Sequence, residues 1–185
     1  MEKGFLNASI RQICKDAGVT NGAFYAHFDS KEDLFAGIVE PVVAGMKDLY
    51  DEENSFFMDI RSADDVNRSL KQTFSSNEKL IRYLYKHADV FKLILRSGAG
   101  TEYEDFAYKL SKEEAANTMS FFRICSSYID NTDKLTEDLI KHMSQFVVSS
   151  VFDGLLEGKT EEEVIHETEL ASEFCIAGIR HFLKI

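Results

Sequence analysis

The chain has 185 residues, 44% of them hydrophobic, with one proline, ten glycines, three cysteines and a formal net charge of −11. That length can bury a core as one large or two modest domains, and the scarcity of proline and glycine suits a mostly helical protein. No apolar run approaches the roughly 20 residues of a membrane span and no basic-then-apolar leader opens the given sequence, so nothing in it suggests spanning or secretion.

In chain order, the first informative stretch is Ser9 to Phe28, SIRQICKDAGVTNGAFYAHF. Ile10, Ile13, Cys14 and Ala17 recur at i, i+3, i+4 and i+7, one apolar stripe on a helix. Gly18 follows, a residue suited to the left-handed backbone that ends helices. Thr20 is the N-cap of a second helix. At about 100° per residue, Phe24 and Phe28 share its anchoring face, and Gly22 and Ala26 lie opposite. Asn21 and Tyr25 edge that bare face on one side, Ala23 and His27 on the other. A helix used only for packing gains little from such a face, whereas one that must press into a DNA major groove needs it. Two short helices around a glycine turn predict a helix-turn-helix.

From Lys3 to Leu34, KGFLNASIRQICKDAGVTNGAFYAHFDSKEDL resembles the DNA-binding region of the tetracycline-repressor (TetR) family of bacterial transcription regulators. The pattern runs through Gly4-Phe5, Ser9-Ile10, Ile13, Ala17-Gly18-Val19-Thr20, Gly22-Ala23-Phe24-Tyr25, His27-Phe28, Ser30-Lys31 and Leu34. The resemblance implies phosphate contacts from Ser9, Thr20, Tyr25, His27 and Lys31. It places Asn21, Gly22 and Ala23 at the base edges, with Arg11 able to reach either. Asn21 can pair bidentately with adenine, and Ala23 offers a methyl contact to thymine. Family members usually carry a further helix before the equivalent of Gly4-Phe5. Here Met1 stands three residues upstream, so the expectation is that this first helix is missing, by a late start or by true loss, and that the head is less stable than the body and binds DNA weakly or not at all as written. Lys3, Arg11, Lys15 and Lys31 nearly balance Glu2, Asp16, Asp29, Glu32 and Asp33, so the acidic excess belongs to the body.

Ser30 and Asp33 predict the start of a helix carrying Leu34, Phe35, Ile38 and Val42, with Pro41 as a kink or local break, either a hinge or a tolerated bend. The domain boundary is placed after residue 46: a helix-turn-helix over 1–46 and a helical body over 47–185. In the body, Ser62 to Asp65 open a stripe of Val66, Leu70 and Phe74. Leu80, Ile81, Leu84 and Tyr85 form the next, then Val90, Phe91, Ile94 and Leu95. Ser97 to Gly100 is a break. Phe106, Leu110, Met119, Phe122 and Tyr128 mark a long helix. The stretch from Tyr83 to Phe106 also looks like the middle of the body in some family members. Leu135, Leu139, Met143, Phe146, Val147, Ser150, Val151 and Gly154 define a further helix ended by Gly158 and Lys159. After Thr160 as cap, Val164, Ala171, Phe174, Cys175, Gly178 and Phe182 define the last.

The resemblance implies that these last two helices pair with those of a second copy. Phe146, Ser150, Gly154, Ala171, Phe174, Gly178 and Phe182 are the candidate homodimer interface, the small residues among them permitting close approach. It also implies a small-molecule pocket in the body, with Tyr83, Phe91, Tyr103, Phe106, Met119, Phe122 and Phe146 as candidate lining; no buried-charge pattern indicates the sign of the effector. No catalytic motif is present. His87, His142, His166 and His181 lack metal-ligand spacing, so neither metal nor cofactor is expected. Asp51-Glu52-Glu53 and Glu161-Glu162-Glu163 read as solvated helix ends. Cys14, Cys125 and Cys175, odd in number and set among apolar neighbours, read as packed thiols of a cytoplasmic protein.

The expectation is therefore an all-α, dimeric, cytoplasmic transcription regulator, most simply a repressor released from operator DNA by an effector. The alternative is a helical ligand-binding or interaction protein without DNA-binding activity; a helical enzyme is the remotest reading.

Overall fold

The computed structural model describes residues 4–54 and 60–185, apart from the side chains at 53, 54 and 73–76. Glu53 and Phe74 of the sequence reading, and Lys3 of the matched segment, thus lie outside what is described. Among the described residues the chain is all helical: α1 (Gly4–Asn7), α2 (Ile10–Ala17), α3 (Asn21–Tyr25), α4 (Lys31–Asn54), α5 (Ala63–Lys86), α6 (Ala88–Ser97), α7 (Phe106–Cys125), α8 (Glu137–Glu157) and α9 (Glu161–Leu183). A single 3-10 turn, Thr132–Lys134, precedes α8. The helices divide into two compact units, Met1–Lys47 with His87–Phe106, and Asp48–Lys86 with Ala107–Ile185. The α6 segment thus belongs with the amino-terminal helices.

The first unit is built on aromatic contacts. Phe5 meets Phe35 edge-on, with ring centroids 5.2 Å apart. Phe35 meets Tyr103 at 6.0 Å, Tyr103 meets Phe106 at 6.2 Å, and Phe106 meets Phe91 at 6.3 Å. This chain of rings joins α1, α4, the loop after α6, the start of α7 and α6 itself. Gly100 holds φ at +81°, a backbone conformation that favours glycine, and a Cβ there would make the exposed Leu6 side chain move aside.

The second unit has one hydrophobic core, including Val66 and Leu70 of α5, Phe122 and Cys125 of α7, Ile140 of α8, and Ile176, Ile179 and Leu183 of α9. Burial pushes the Cys125 thiol up to about 12, and all three cysteines are free and buried. The Glu161 to Glu163 run starts α9, where a full capping box joins Thr160 and Glu163. Asp51 and Glu52 are instead at the carboxyl end of α4, the end where the helix dipole disfavours acids.

Several element boundaries differ from the sequence reading. Helix α4 runs unbroken through Pro41. The two stripes of residues 66–85 are one 24-residue helix; polar residues between them cost only tenths of a kcal/mol each in helix propensity, too little to stop it. Helix α7 ends at Cys125, leaving Tyr128 beyond it and exposed. Leu135 lies in the turn before α8, though it is fully buried.

Candidate nucleic-acid interface

Each short helix of the amino-terminal motif is fixed by local chemistry. Ser9 Oγ caps α2 by accepting the Gln12 N–H, and Gly18 at φ +68° closes it. Thr20 Oγ1 accepts the Ala23 N–H at 3.1 Å and opens α3. Helix α3 is shorter than its sequence period suggests: the regular part ends at Tyr25, and Ala26 follows as its cap. The chain then tightens, with both the His27 and Phe28 N–H groups donating to the Phe24 carbonyl.

The anchoring face behaves as its residues require. Phe24 is 6% exposed, with Phe28 at 5.6 Å and the Tyr25 ring edge-on at 5.3 Å. Phe28 is half-buried and reaches α4, where a Cβ on Gly37 would touch it. Gly22 and Ala26 are both exposed. The side of α3 carrying Asn21, Gly22, Ala23 and Tyr25 is open, and Tyr25 is 57% exposed. Ser9, Arg11, Thr20 and His27 are exposed as well. Ser9 and Thr20 use an oxygen lone pair as caps, which leaves each hydroxyl hydrogen free to donate to a phosphate.

Lys31, expected at a phosphate, is engaged within the chain itself. Its ammonium donates to the backbone carbonyls of Phe5, at 2.6 Å, and Ala8, at 3.1 Å, and stands 4.2 Å from the centroid of the Phe5 ring. It ties the first turn of α4 to the end of α1, adding a second donor to the Phe5 carbonyl, which also accepts the Ala8 N–H. Two of its three donors are thus occupied within the chain.

The other candidates fall into separate groups. Phe91, Tyr103 and Phe106 belong to the aromatic chain of the first unit. An open cleft of about 240 Å³ there is lined by Glu32, Phe35, Ala36 and residues 100–103, so Tyr103 is the one ligand candidate on its wall. Met119 and Phe122 belong to the core of the second unit. Burial raises the Tyr83 phenol, with Asp48 adding to the effect. On α8 and α9, Phe146 and Phe174 are 50% and 75% exposed and pack edge-on against one another at 6.4 Å. Phe182 is exposed too, Ser150 is half-buried, and Gly178 has open space where a Cβ would be. Gly154 and Ala171 do not share that outward placement. Both are buried, and a Cβ on Gly154 would collide with Val164 of α9 in the same chain. Gly154 therefore serves internal packing.

One polar group was not foreseen. Glu114 of α7 accepts the hydroxyl of Tyr50 of α4 on one oxygen and that of Thr118 on the other. It sits in KEEAAN, which reads as an ordinary solvated helix face, so nothing in its immediate neighbours marks it.

Residues 1–38 match the model of the bacterial regulatory proteins of the tetR family. A curated relative, an uncharacterized HTH-type transcriptional regulator of Haemophilus influenzae, is 26% identical over 100 residues, which cover 54% of this chain and 44% of that protein. The match thus spans less than half the length of the relative. No solved structure matches the chain. Over residues 1–38 the chain therefore carries a helix-turn-helix similar to that of the bacterial tetR family of regulatory proteins, with the outer side of α3 open.

Proposed function

We propose that the chain is a cytoplasmic repressor that binds operator DNA as a homodimer and releases it when a small molecule occupies its body. The observation that carries this reading is the exposed Asn21-Gly22-Ala23-Tyr25 face of α3, held rigid by buried Phe24. Residues 1–46 act as the reading head, and residues 47–185 as the effector-binding and pairing body. Asn21 and Ala23 meet base edges, while Ser9, Arg11, Thr20, Tyr25 and His27 meet phosphates and set the register. An effector that binds more tightly to a body whose heads are misplaced shifts the population toward release.

The test is binding to duplexes recovered by selection from random DNA, measured across salt concentrations. Affinity should fall steeply as salt rises, because phosphate contacts displace counterions. Arg11→Met should make the slope of log K against log salt shallower by about one. Lys31→Met should leave the slope nearly unchanged yet destabilise the chain by about 1–3 kcal/mol in urea, because carbonyls at the end of α1 lose a donor. A Lys31→Met slope that drops as far as that of Arg11→Met would return Lys31 to the phosphate set. Failure to enrich any sequence would leave the helical ligand-binding protein without DNA-binding activity.

Pairing supplies the two heads that half-sites about 34–36 Å apart demand. The exposed Phe146, Phe174 and Phe182 on α8 and α9, with the open space over Gly178, support this surface. Introducing Phe146→Glu and Phe174→Glu together should weaken self-association at least about a hundredfold, since burying each ring is worth about 1.5–3 kcal/mol. Sedimentation should then give a folded monomer. An unchanged dimer would place the interface elsewhere.

A further inference from the structure

Within the second unit, the partners of Glu114 among the described residues are hydroxyls. The Tyr50 and Thr118 hydroxyls donate to its two oxygens, the latter at 3.3 Å, and Asn117 Nδ2 donates to the Tyr50 oxygen at 3.1 Å. A polar string thus crosses from α4 to α7. Among the described residues, no lysine, arginine or histidine pairs with this carboxylate. Burial raises the Glu114 carboxyl above its ordinary value, and the Tyr50 phenol is driven up by burial and by Glu114 itself. Neutral hydroxyls offset only part of the cost of taking a carboxylate out of water. The residue nevertheless keeps some access to solvent, and neighbouring Asn117 is exposed.

We propose that Glu114, supported by Tyr50 and Asn117, anchors the protonated amine of a cationic effector. This rests on the effector-released reading and gives that effector its chemical class. An ammonium brings three donors, which suit a carboxylate and the Asn117 amide oxygen together. An ammonium favours the ionised form of Glu114 that burial opposes, a carboxylate ligand opposes it further, and a neutral ligand gives no such gain. The chain's net charge of −11 adds a field that draws cations toward it.

The test uses the full chain and phenylalkylamines of graded length, each matched by the alcohol and the carboxylate of the same skeleton. Binding is read by calorimetry and by the helical circular-dichroism melt. The best amine should bind at least about tenfold more tightly than its alcohol, and the carboxylates should not bind. Glu114→Gln should abolish that preference while the helical spectrum is kept. Tyr50→Phe should weaken it several-fold, and the exposed carboxylate variant Asp51→Asn should leave it intact. Equal binding of alcohol and amine, an undiminished preference in Glu114→Gln, or no amine binding at any length would overturn the proposal. DNA release measured alongside separates the two readings. Amine binding that depends on Glu114 but never frees DNA keeps the site and ends the effector-release reading. Amine-driven release that persists in Glu114→Gln ends the site and keeps effector release.

Discussion

Gly22→Leu is expected to leave the chain folded and to remove sequence-specific DNA binding. The glycine has ordinary space around it: a Cβ would come no closer than 3.8 Å, to the Thr20 hydroxyl oxygen. Its backbone is regular helix, where leucine has a higher helix propensity than glycine by several tenths of a kcal/mol. The melting temperature should therefore hold or rise slightly. The added side chain would stand on the open side of α3, between Asn21 and Ala23, and hold the helix away from the groove floor. Each lost base contact is worth about 1–3 kcal/mol, and specific binding exceeds non-specific by about 10³–10⁷. Operator affinity should fall at least about a hundredfold, toward the level for random duplex. Gel-shift titration of the selected operator against random duplex measures it. Retained specificity would mean that α3 is not the reading helix.

Phe91→Ala should be among the most damaging single truncations in the first unit. Phe91 is fully buried in α6, with Phe106 beside it, at the end of the aromatic chain that reaches Phe5. Removing a ring from such a site costs about 3–5 kcal/mol, a large share of the 5–15 kcal/mol of a typical domain. Because α6 is grouped with the amino-terminal helices, the damage should be local. Native-state hydrogen exchange should show protection lost in α2, α4 before Lys47 and α6, and kept in α8 and α9. Phe122→Ala, in the other core, should reverse the pattern. Equal loss throughout would mean that the chain unfolds as one unit.

The parts of this fold legible in the sequence are those whose causes are local. Ser9, Gly18, Thr20 and Thr160 act within three or four residues of themselves, so the motif and the start of α9 could be placed from composition and period alone. The opposition of Phe24 to Gly22 is likewise a property of one helix. Lys31 was not legible because its partners are backbone carbonyls, which carry no signature of side-chain type. Gly154 was ambiguous for a related reason. A small residue signals close approach, but only Val164, brought to it by the packing of α9, says against what. Glu114 is the sharpest case. Its sign and spacing fit a solvated face, and its significance comes from Tyr50, sixty-four positions earlier in the chain.

The unbroken course of α4 through Pro41 has a mechanical consequence. Proline supplies no N–H, so the carbonyl of Gly37 lacks its usual rung, and Gly37 itself adds no side chain to brace that turn. The rod common to both units, from Lys31 to Asn54, therefore carries a compliant segment on the near side of residue 47. A bending load on α4 is taken up there first, as curvature. The stiffness of a few residues around Pro41 thus sets how readily this helix bends.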